Sequence, residues 1–151
     1  METYNNLLCF RLGALSRKIN RYYNNQYARH GITVGQSFIL FDLLINECSS
    51  LKNIASRVHL DSPAVTGFID RLVKENLVER KEDPYDRRTL CISLTGKGKT
   101  LVKKILPIAQ QFNQNIKDIF ITEDWKAFER SLERLENDHL YKDMSYGEGS
   151  P

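Results

Sequence analysis

The sequence contains no run of about 18 apolar residues, the length that a helix needs to cross a bilayer. The residues that follow Met1 are polar, and they do not form the basic, apolar and small-residue segments of a secretory signal peptide. These two absences predict a cytoplasmic protein that has no membrane partner.

Cysteine is scarce, and no residue spacing typical of a metal site occurs. Cys9, Cys48 and Cys91 are widely spaced and odd in number, so a complete framework of intrachain disulfides is not expected. The three histidines lie far apart, and neither CxxC nor HExxH is present. A glycine-rich phosphate loop and a pairing of a nucleophile with a base are absent too. The sequence therefore predicts no enzyme, no metal and no cofactor.

The composition is ordinary for a globular chain of 151 residues, with 41% hydrophobic and 27% charged residues. The net charge of +3 is unevenly distributed. Residues 51–104 hold 12 Lys or Arg and 7 Asp or Glu, whereas residues 105–151 hold 5 and 9. A basic segment beside an acidic one indicates that only one part of the chain meets an anion.

An amphipathic helix is predicted from residue 62 to residue 74. Ser62 can cap it, and Pro63 suits its first turn because a missing N–H is harmless there. Apolar residues recur at helical spacing and form one stripe that faces a core: Val65, Phe68, Ile69, Leu72 and Val73. The opposite face is small or charged, which suits either close approach to another surface or simple exposure to solvent: Pro63, Ala64, Gly67, Asp70, Arg71 and Lys74.

Two runs with strand propensity follow, at residues 77–81 and 89–94, and a charged turn joins them. The turn contains Asp83-Pro84, a common turn signal, and two adjacent arginines, Arg87 and Arg88. Exposed ion pairs contribute only about 0–1 kcal/mol, so stability does not require these arginines. They suit contact with phosphates or with a narrow minor groove. A solvated charged loop is the alternative interpretation.

Helical patterns surround this segment on both sides. Leu8, Leu12, Leu15, Ile19 and Tyr22 form an apolar stripe in residues 5–29. A capping box of Thr33 and Gln36 predicts a helix to about Asn46, and Ser49 and Ser50 are expected to end a loop and cap the next helix. A long helix from about Thr95 to Phe120 contains Pro107, which predicts a bend. Thr122 is the predicted cap of the last helix, with Trp125, Phe128, Leu132 and Leu135 on its apolar side.

Five short blocks occur in an order and spacing that resemble the MarR family of bacterial and archaeal transcription regulators. They are LDSPAVT at 60–66, IDRL at 69–72, LVER at 77–80, DPYDRR at 83–88 and LTGKG at 94–98. With the flanking helices, the resemblance covers roughly residues 5–140. It implies a mainly α fold with a small β-hairpin wing, in which a winged helix-turn-helix is flanked by N- and C-terminal dimerisation helices. It also implies a homodimer that binds a pseudo-palindromic operator and usually represses transcription.

The resemblance divides residues 1–151, a single domain, into a DNA-binding core at 33–98 and dimerisation helices at 5–29 and 99–140. The residues alone also favour a dimer, because both chain ends carry apolar stripes and the core between them is small. A two-fold dimer would hold two recognition helices about 34 Å apart, one turn of DNA. The alternative is that the terminal helices pack only within one chain.

The predicted DNA contacts lie on the helix at 62–74 and on the charged turn. Ser62, Ala64, Thr66 and Gly67 would approach base edges, and their small side chains favour A·T-rich half-sites. Many MarR-family proteins carry a basic residue where this chain has Gly67, so base recognition differs there. Phosphate contacts are expected from Arg71 and Lys74. At the turn, Asp86 would orient an arginine while Arg87 and Arg88 contact the flanking backbone or minor groove.

Two triggers for release from DNA are expected. The segment around Cys9 resembles the organic-hydroperoxide-sensing branch of the family, in which a cysteine in the first helix is oxidised. Tyr23 matches one of the two tyrosines that contact this cysteine in that branch, but Val34 replaces the other. A small buried apolar residue is the alternative interpretation of Cys9. The second trigger is a small amphipathic or aromatic ligand near Tyr22, Tyr23, Phe38 and Phe41, although aromatics at helical spacing often form a core.

A different function remains compatible with this sequence, namely a winged-helix module for protein assembly or DNA architecture that lacks sequence-specific binding. The paired arginines and the small-residue helix face argue against it. The operator, the regulated genes and the inducer are not encoded in any pattern that the sequence shows.

Overall fold

The structure, a computed structural model, describes residues 4–86 and 88–138. Arg87 and the last two residues of the predicted 99–140 segment lie outside the described residues. The described chain forms six α-helices and one β-hairpin, with short 3-10 turns at Tyr4–Asn6 and Ala28–His30. In chain order the elements are α1 (Leu8–Tyr27), α2 (Val34–Ile45), α3 (Leu51–Val58), α4 (Ser62–Lys74), β1 (Val78–Glu82), β2 (Leu90–Leu94), α5 (Gly96–Lys117) and α6 (Thr122–Asn137).

Side-chain caps begin three of these helices, and the first two of these caps were predicted from the sequence. The capping box of α2 is complete, because Thr33 N donates to Gln36 Oε1 at 2.8 Å and Gln36 N donates to Thr33 Oγ1 at 3.4 Å. Ser50 caps α3 by accepting from the backbone N–H of Asn53. Thr95 caps α5 in the same way.

Two predicted caps were wrong by one residue. Asp61, not Ser62, caps α4, and its carboxylate accepts from Ala64 N at 2.7 Å. The backbone of Asp61 is extended (φ −67°, ψ 152°), whereas Ser62 is already helical, so only Asp61 can reach the free N–H groups of the first turn. The last helix likewise has Ile121 at its cap position, without a side-chain bond, and Thr122 is its first helical residue.

The long helix α5 passes through Pro107 without interruption and ends at Lys117, three residues before the predicted end. The predicted bend at Pro107 stays a prediction. At the other end of α5 the helix presses against the base of the hairpin at Gly98. A Cβ added there would lie 2.0 Å from the carbonyl oxygen of Leu77, so only glycine permits this approach.

One hydrophobic cluster joins α2, α3, α4, the hairpin and α5. Its fully buried members include Ile39, Leu40 and Leu43 of α2, Ile54 of α3, Val65, Ile69 and Leu72 of α4, and Ile105 of α5. The predicted stripe of α4 therefore faces inward, which leaves the small-residue face outside. The terminal helices contribute little, since Tyr27 is the one fully buried residue of α1 and α6 has none.

The hairpin is antiparallel, and its register runs from Val78 opposite Leu94 to Glu82 opposite Leu90. Both strands begin one residue later than predicted. The segment between α2 and α3 lies against the other side of β2. There, Ser49 and Ile92 exchange two backbone hydrogen bonds of 3.0 and 2.8 Å. The hairpin is thus attached to the helical core through the backbone as well as through side chains.

Cys48 and Cys91 form a disulfide in the structure, with their Cα atoms 4.9 Å apart. Cys9 is a free and exposed cysteine, so the disulfide framework is incomplete, as the odd count indicated. The sequence analysis missed the Cys48–Cys91 pair because 43 residues separate the two cysteines. Only the pairing of the α2–α3 loop with β2 brings them together.

Over the described residues, no helix combines the length and the apolar character that a membrane span requires.

Candidate nucleic-acid interface

The outward face of α4 is open along the whole helix. Ser62 and Gly67 are exposed, Ala64 and Thr66 are half-buried, and the hydroxyl of Thr66 donates to the carbonyl oxygen of Ser62 at 2.8 Å. That bond leaves the methyl group of Thr66 free for an apolar contact. Helical rise places Arg71 and Lys74, which are both exposed, about 14 and 18 Å along the axis from Ser62. The face therefore offers small groups at its N-terminal end and cations at its C-terminal end.

Gly67 is not required by the packing of this chain. A Cβ placed on Gly67 would have no heavy atom within 4 Å. Because Gly67 has no side chain, the backbone of α4 is exposed at the middle of its outward face. Another molecule can approach the helix more closely there than at any residue that has a side chain.

An ion pair connects α4 to the hairpin. Arg80 of β1 donates to Asp70 of α4 at 2.5 Å, and both side chains are partly exposed. The pair is a direct contact between β1 and the outward face of α4. Sequence reasoning placed Asp70 on this face but missed Arg80, because the register that turns Arg80 toward α4 depends on tertiary packing.

The tip of the hairpin is ordered by its own hydrogen bonds. The carboxylate of Asp83 accepts from the backbone N–H of Tyr85 at 2.8 Å, and Thr89 N donates to the carbonyl oxygen of Asp86 at 2.9 Å. The side chain of Tyr85 is 98% exposed and was not selected by sequence reasoning. These bonds give the charged turn a defined shape in spite of its exposure.

Of the two adjacent arginines at the tip, the structure describes Arg88, and its side chain is 91% exposed. Its Nε lies 3.2 Å from Oδ1 of Asp86, which also accepts from its backbone N–H at 3.1 Å. Asp86 therefore orients an arginine, as the sequence suggested. Because such an exposed pair is weak, Arg88 can exchange Asp86 for a phosphate at little cost. Arg87, the other predicted contact, lies outside the described residues.

A buried carboxylate fixes α3 on α2 behind this surface. Arg57 Nε and Nη2 each lie 2.7 Å from one carboxylate oxygen of Asp42, and Nη2 also donates to Ser49 Oγ at 2.7 Å. The hydrogen bonds from Arg57 to Asp42 raise the pKa of this guanidinium, and burial opposes the rise. The contact joins α2, α3 and the segment that pairs with β2. Sequence reasoning missed it because its residues lie far apart in the chain.

Cys9 and Tyr23 are not brought together within one chain. They lie 14 residues apart on the same helix α1, which separates them by about 21 Å. Cys9 is exposed, contrary to the alternative of a buried apolar residue, whereas Tyr23 stacks on Tyr27 with ring centroids 5.4 Å apart. Burial, together with the neighbouring Tyr22, raises the pKa of Tyr23. Contact between the two residues would require a second chain.

The four aromatic residues of the predicted ligand site lie on α1 and α2. Tyr22 stacks on Phe112 of α5 with ring centroids 4.4 Å apart. Phe41 packs against the core, and Phe38 is 40% exposed. Tyr22 and Phe41 therefore have packing roles in the single chain, while Phe38 presents an apolar surface to solvent.

A cleft of about 350 Å³ lies elsewhere, between the α1–α2 corner, the α4–β1 turn and the first turns of α5. The cleft is lined by three cationic side chains, one histidine and a single acidic residue, and two leucines form an apolar wall. Its lining residues are Arg29, His30, Gly31, Glu75, Leu77, Lys97, Thr100, Leu101 and Lys104. None of Tyr22, Phe38 and Phe41 lines it. The cleft adjoins the C-terminal end of α4 and the beginning of β1.

Comparison with known proteins gives one family-model match, to the MarR family over residues 32–90. The HTH-type transcriptional regulator YsmB of Bacillus subtilis is 31% identical over 133 residues, which are 84% of this chain and 85% of that protein. The organic hydroperoxide resistance transcriptional regulator of the same organism is 31% identical over 121 residues, 76% of this chain and 82% of its own.

Solved structures have the same fold at lower identity. One is a structure of Bordetella bronchiseptica BpsR, whose DNA binding is regulated by 6-hydroxynicotinic acid. It aligns with a TM-score of 0.82 at 22% identity, and the alignment covers 91% of this chain and 99% of the BpsR chain. A complex of S. aureus MepR with DNA has a TM-score of 0.81 at 18% identity, over 88% and 96% of the two chains. These similarities establish a winged-helix fold for the chain.

The position of Arg88 predicts that the hairpin tip binds a phosphate. Replacing Arg88 with Ala should weaken binding to duplex DNA and flatten the dependence of log K on log salt, by about 0.9 for each phosphate that is no longer neutralised. A salt titration of binding, followed by fluorescence anisotropy, measures both effects.

Arg130→Ala provides the matched control, since Arg130 is an exposed arginine of α6, away from the hairpin. It should change neither affinity nor slope. Equal salt slopes for Arg88→Ala and the unchanged protein would rule out phosphate binding by this arginine.

Proposed function

Because this chain belongs to the MarR family, whose members are DNA-binding transcription regulators and not enzymes, we propose that it is a homodimeric repressor. It binds a pseudo-palindromic operator in the cytoplasm, and a small ligand or the oxidation of a thiol releases it. The observation that carries this proposal is the arrangement of α4 and the hairpin tip. Both are exposed, and the Asp70–Arg80 pair links α4 to β1, the strand that leads to the tip.

In this proposal α4 enters the major groove and reads base edges with its N-terminal half. Ala64 and the methyl group of Thr66 suit contact with thymine methyls, and Ser62 offers a hydroxyl to either kind of base pair. At Gly67 the uncovered backbone permits a closer approach to the DNA than a basic side chain would. Farther along the helix, the exposed Arg71 and Lys74 contact phosphates.

The hairpin tip takes the second set of contacts. Arg88, oriented by Asp86, and Arg87, its neighbour in sequence, contact the flanking backbone or the minor groove. Minor grooves of A·T-rich DNA are narrow and strongly negative, so they attract arginine. The small groups of α4 and the arginines of the tip thus favour the same kind of sequence.

Dimerisation is supported by apolar surface that one chain leaves uncovered. On α1, Leu8, Leu12 and Leu15 are 55%, 43% and 51% exposed. On α6, where no residue is buried, Phe128 and Leu132 are each 40% exposed. An amphipathic helix that buries nothing within its own chain requires a partner to stabilise it.

A second copy of this chain is the partner that we propose. Residues 5–29 and 99–140 form the dimer interface, residues 33–98 bind DNA, and together they make a single domain over residues 1–151. The two α4 helices would then lie about 34 Å apart, one turn of DNA.

Leu12→Asp combined with Leu132→Asp should therefore produce monomers, because two carboxylates would be buried in an apolar interface. Light scattering after size exclusion, at micromolar concentration, should give twice the 17.5 kDa chain mass for the unchanged protein and a single chain mass for this variant. Ile45→Asp is the control, as Ile45 is a hydrophobic residue of α2 that is 82% exposed and outside the proposed interface. It should stay dimeric. A monomeric unchanged protein would refute the dimer.

Selection of genomic fragments by the reduced protein at about 150 mM salt, where binding through phosphates alone is suppressed, tests operator recognition. Enrichment of a shared inverted repeat is the expected result. A sequence-indifferent set of fragments, sensitive to salt, would instead support the architectural or protein-assembly function.

Release by a small ligand has two proposed locations. BpsR responds to an aromatic carboxylic acid, 6-hydroxynicotinic acid. The cleft of this chain combines Arg29, Lys97 and Lys104 with Leu77 and Leu101, which suits a small organic anion. The other location is the aromatic region near Tyr22, Phe38 and Phe41. Oxidation of Cys9, which is exposed on α1, is the proposed alternative trigger.

A panel of aromatic carboxylic acids that includes 6-hydroxynicotinic acid should contain one that releases DNA in a competition assay. If the cleft binds it, Lys97→Gln with Lys104→Gln should raise the concentration needed for release, and Lys126→Gln, at an exposed lysine of α6, should not. If Phe38→Ala prevents release and the lysine variants do not, the aromatic region is favoured as the ligand site. Absence of release by every acid would count against this ligand class.

A further inference from the structure

The Cys48–Cys91 pair joins the loop between α2 and α3 to the hairpin whose tip carries one set of the proposed DNA contacts. Cys48 lies in the loop between α2 and α3, and Cys91 lies within β2. Their Cα separation of 4.9 Å falls within the range that a disulfide spans, about 4.4–6.8 Å. The adjacent Ser49 and Ile92 already hold the loop and the strand together through the backbone. In the reduced chain, the two thiols therefore lie close enough to form the bond without a large movement of the loop or the strand.

The two cysteines differ in their access to solvent. Cys91 is fully buried, whereas Cys48 is half-buried on a loop, with a positive φ of 57°. A small oxidant or reductant can therefore reach the sulfur of Cys48 first. Cys91 is then placed to complete or to reopen the bond. This asymmetry is typical of pairs in which one cysteine reacts and the other resolves.

Breaking the bond must change the packing at β2. Two bonded sulfurs lie about 2.0 Å apart, but two thiols in contact need roughly 3.5 Å. Because Cys91 is fully buried in a close-packed interior, this extra separation has to come from a shift of the loop or of the strand. The Ser49–Ile92 hydrogen bonds limit the shift but leave the hairpin less firmly held.

A change at Cys91 reaches the DNA-binding surface through a short chain of contacts. Cys91 pairs with Lys81 on β1, and the next pair in the register is Ile92 with Arg80. Arg80 is bonded to Asp70 on the outward face of α4. The same two strands carry the tip with Arg88. The disulfide thus helps to set the position of the hairpin relative to α4.

We propose that Cys48 and Cys91 are a redox-modification site, oxidised to the disulfide by small hydroperoxides and reduced by dithiols, and that the oxidised protein binds DNA more tightly. The tighter binding follows because the disulfide fixes the hairpin before DNA arrives, so binding restricts its conformational freedom less. The effect on DNA binding rests on the proposed function, whereas the redox chemistry does not.

The chemistry balances with a hydroperoxide as the oxidant. The Cys48 thiolate attacks the terminal peroxide oxygen, the O–O bond breaks, and the protonated leaving group departs as an alcohol, or as water when the oxidant is hydrogen peroxide. The Cys91 thiolate then attacks the sulfenic sulfur of Cys48, the S–S bond forms, and the hydroxide leaves as water. Two thiols give up two electrons, and the O–O bond takes them up. In reverse, a dithiol attacks the disulfide, returns both thiols and leaves as its own disulfide.

A Cys9→Ser background removes the other thiol, which lies on α1 and belongs to no pair. In this background, one equivalent of hydrogen peroxide should reduce the free thiols from two per chain to none, and peptide mapping should find Cys48 joined to Cys91. Dithiothreitol should restore both thiols. Oxidation should raise the Tm by about 10 °C, because the bond closes a long loop in the unfolded chain.

DNA affinity of the two redox states is then compared on the duplex recovered by fragment selection, or on a mixed-sequence duplex if the selection recovers none. The dissociation constant of the oxidised form should be about tenfold lower. The matched control adds Cys48→Ser to Cys9→Ser, at the half-buried position, and its affinity should not respond to peroxide. Cys48→Ala replaces Cys48→Ser if the latter does not fold.

Each outcome decides one part of the proposal. Two thiols that persist in peroxide would overturn the redox-modification site. A disulfide that forms and reverses while leaving DNA affinity unchanged, or lowering it, would overturn the regulatory effect and leave a structural bond. Failure to select any sequence would count against the operator-binding function alone, since the thiol count and the Tm do not depend on DNA.

Discussion

Burial of the apolar stripe of α4 is the constraint on which the rest of the interface depends. Val65, Ile69 and Leu72 are completely buried against α2, α3 and the hairpin. Because a helix has only one such stripe, this burial also determines which side chains face outward. The small residues and cations of α4 therefore share the outward face, and the geometry of the proposed DNA recognition follows from the packing of the core.

The hairpin is stabilised more by its neighbours than by its own two strands, since an isolated hairpin is marginally stable in water. Ser49 extends the sheet edge, Gly98 lets α5 close against Leu77, and Arg80 bonds to α4. The position of the charged tip is therefore coupled to both the helical core and α4. Under our proposal, a chemical change at this junction, such as opening the disulfide, alters the contact surface at the tip without unfolding it.

The core helices and the terminal helices differ in how much of their apolar surface one chain buries. Residues of α2, α3 and α4 bury their apolar side chains within one chain, while α1 and α6 leave theirs largely exposed. Aromatic contacts such as Phe120 with Trp125 and Phe128 order the beginning of α6 without covering its apolar face. The proposed dimer would cover the terminal helices, whereas the α2–α4 region has a complete interior of its own.

Local patterns in the sequence were enough to predict the six α-helices of the described residues, the hairpin, the capping box of Thr33 and Gln36, and the family. These features depend on periodicity and on residues close together in the chain. The caps at Asp61 and Ile121 were missed by one residue, since the cap is the residue whose backbone is still extended, and residue type alone does not identify it. Contacts between distant segments were decided only by the tertiary structure. Arg57 with Asp42, Arg80 with Asp70, the cationic cleft and the Cys48–Cys91 disulfide all require α2, α4, α5 and the hairpin to be packed first.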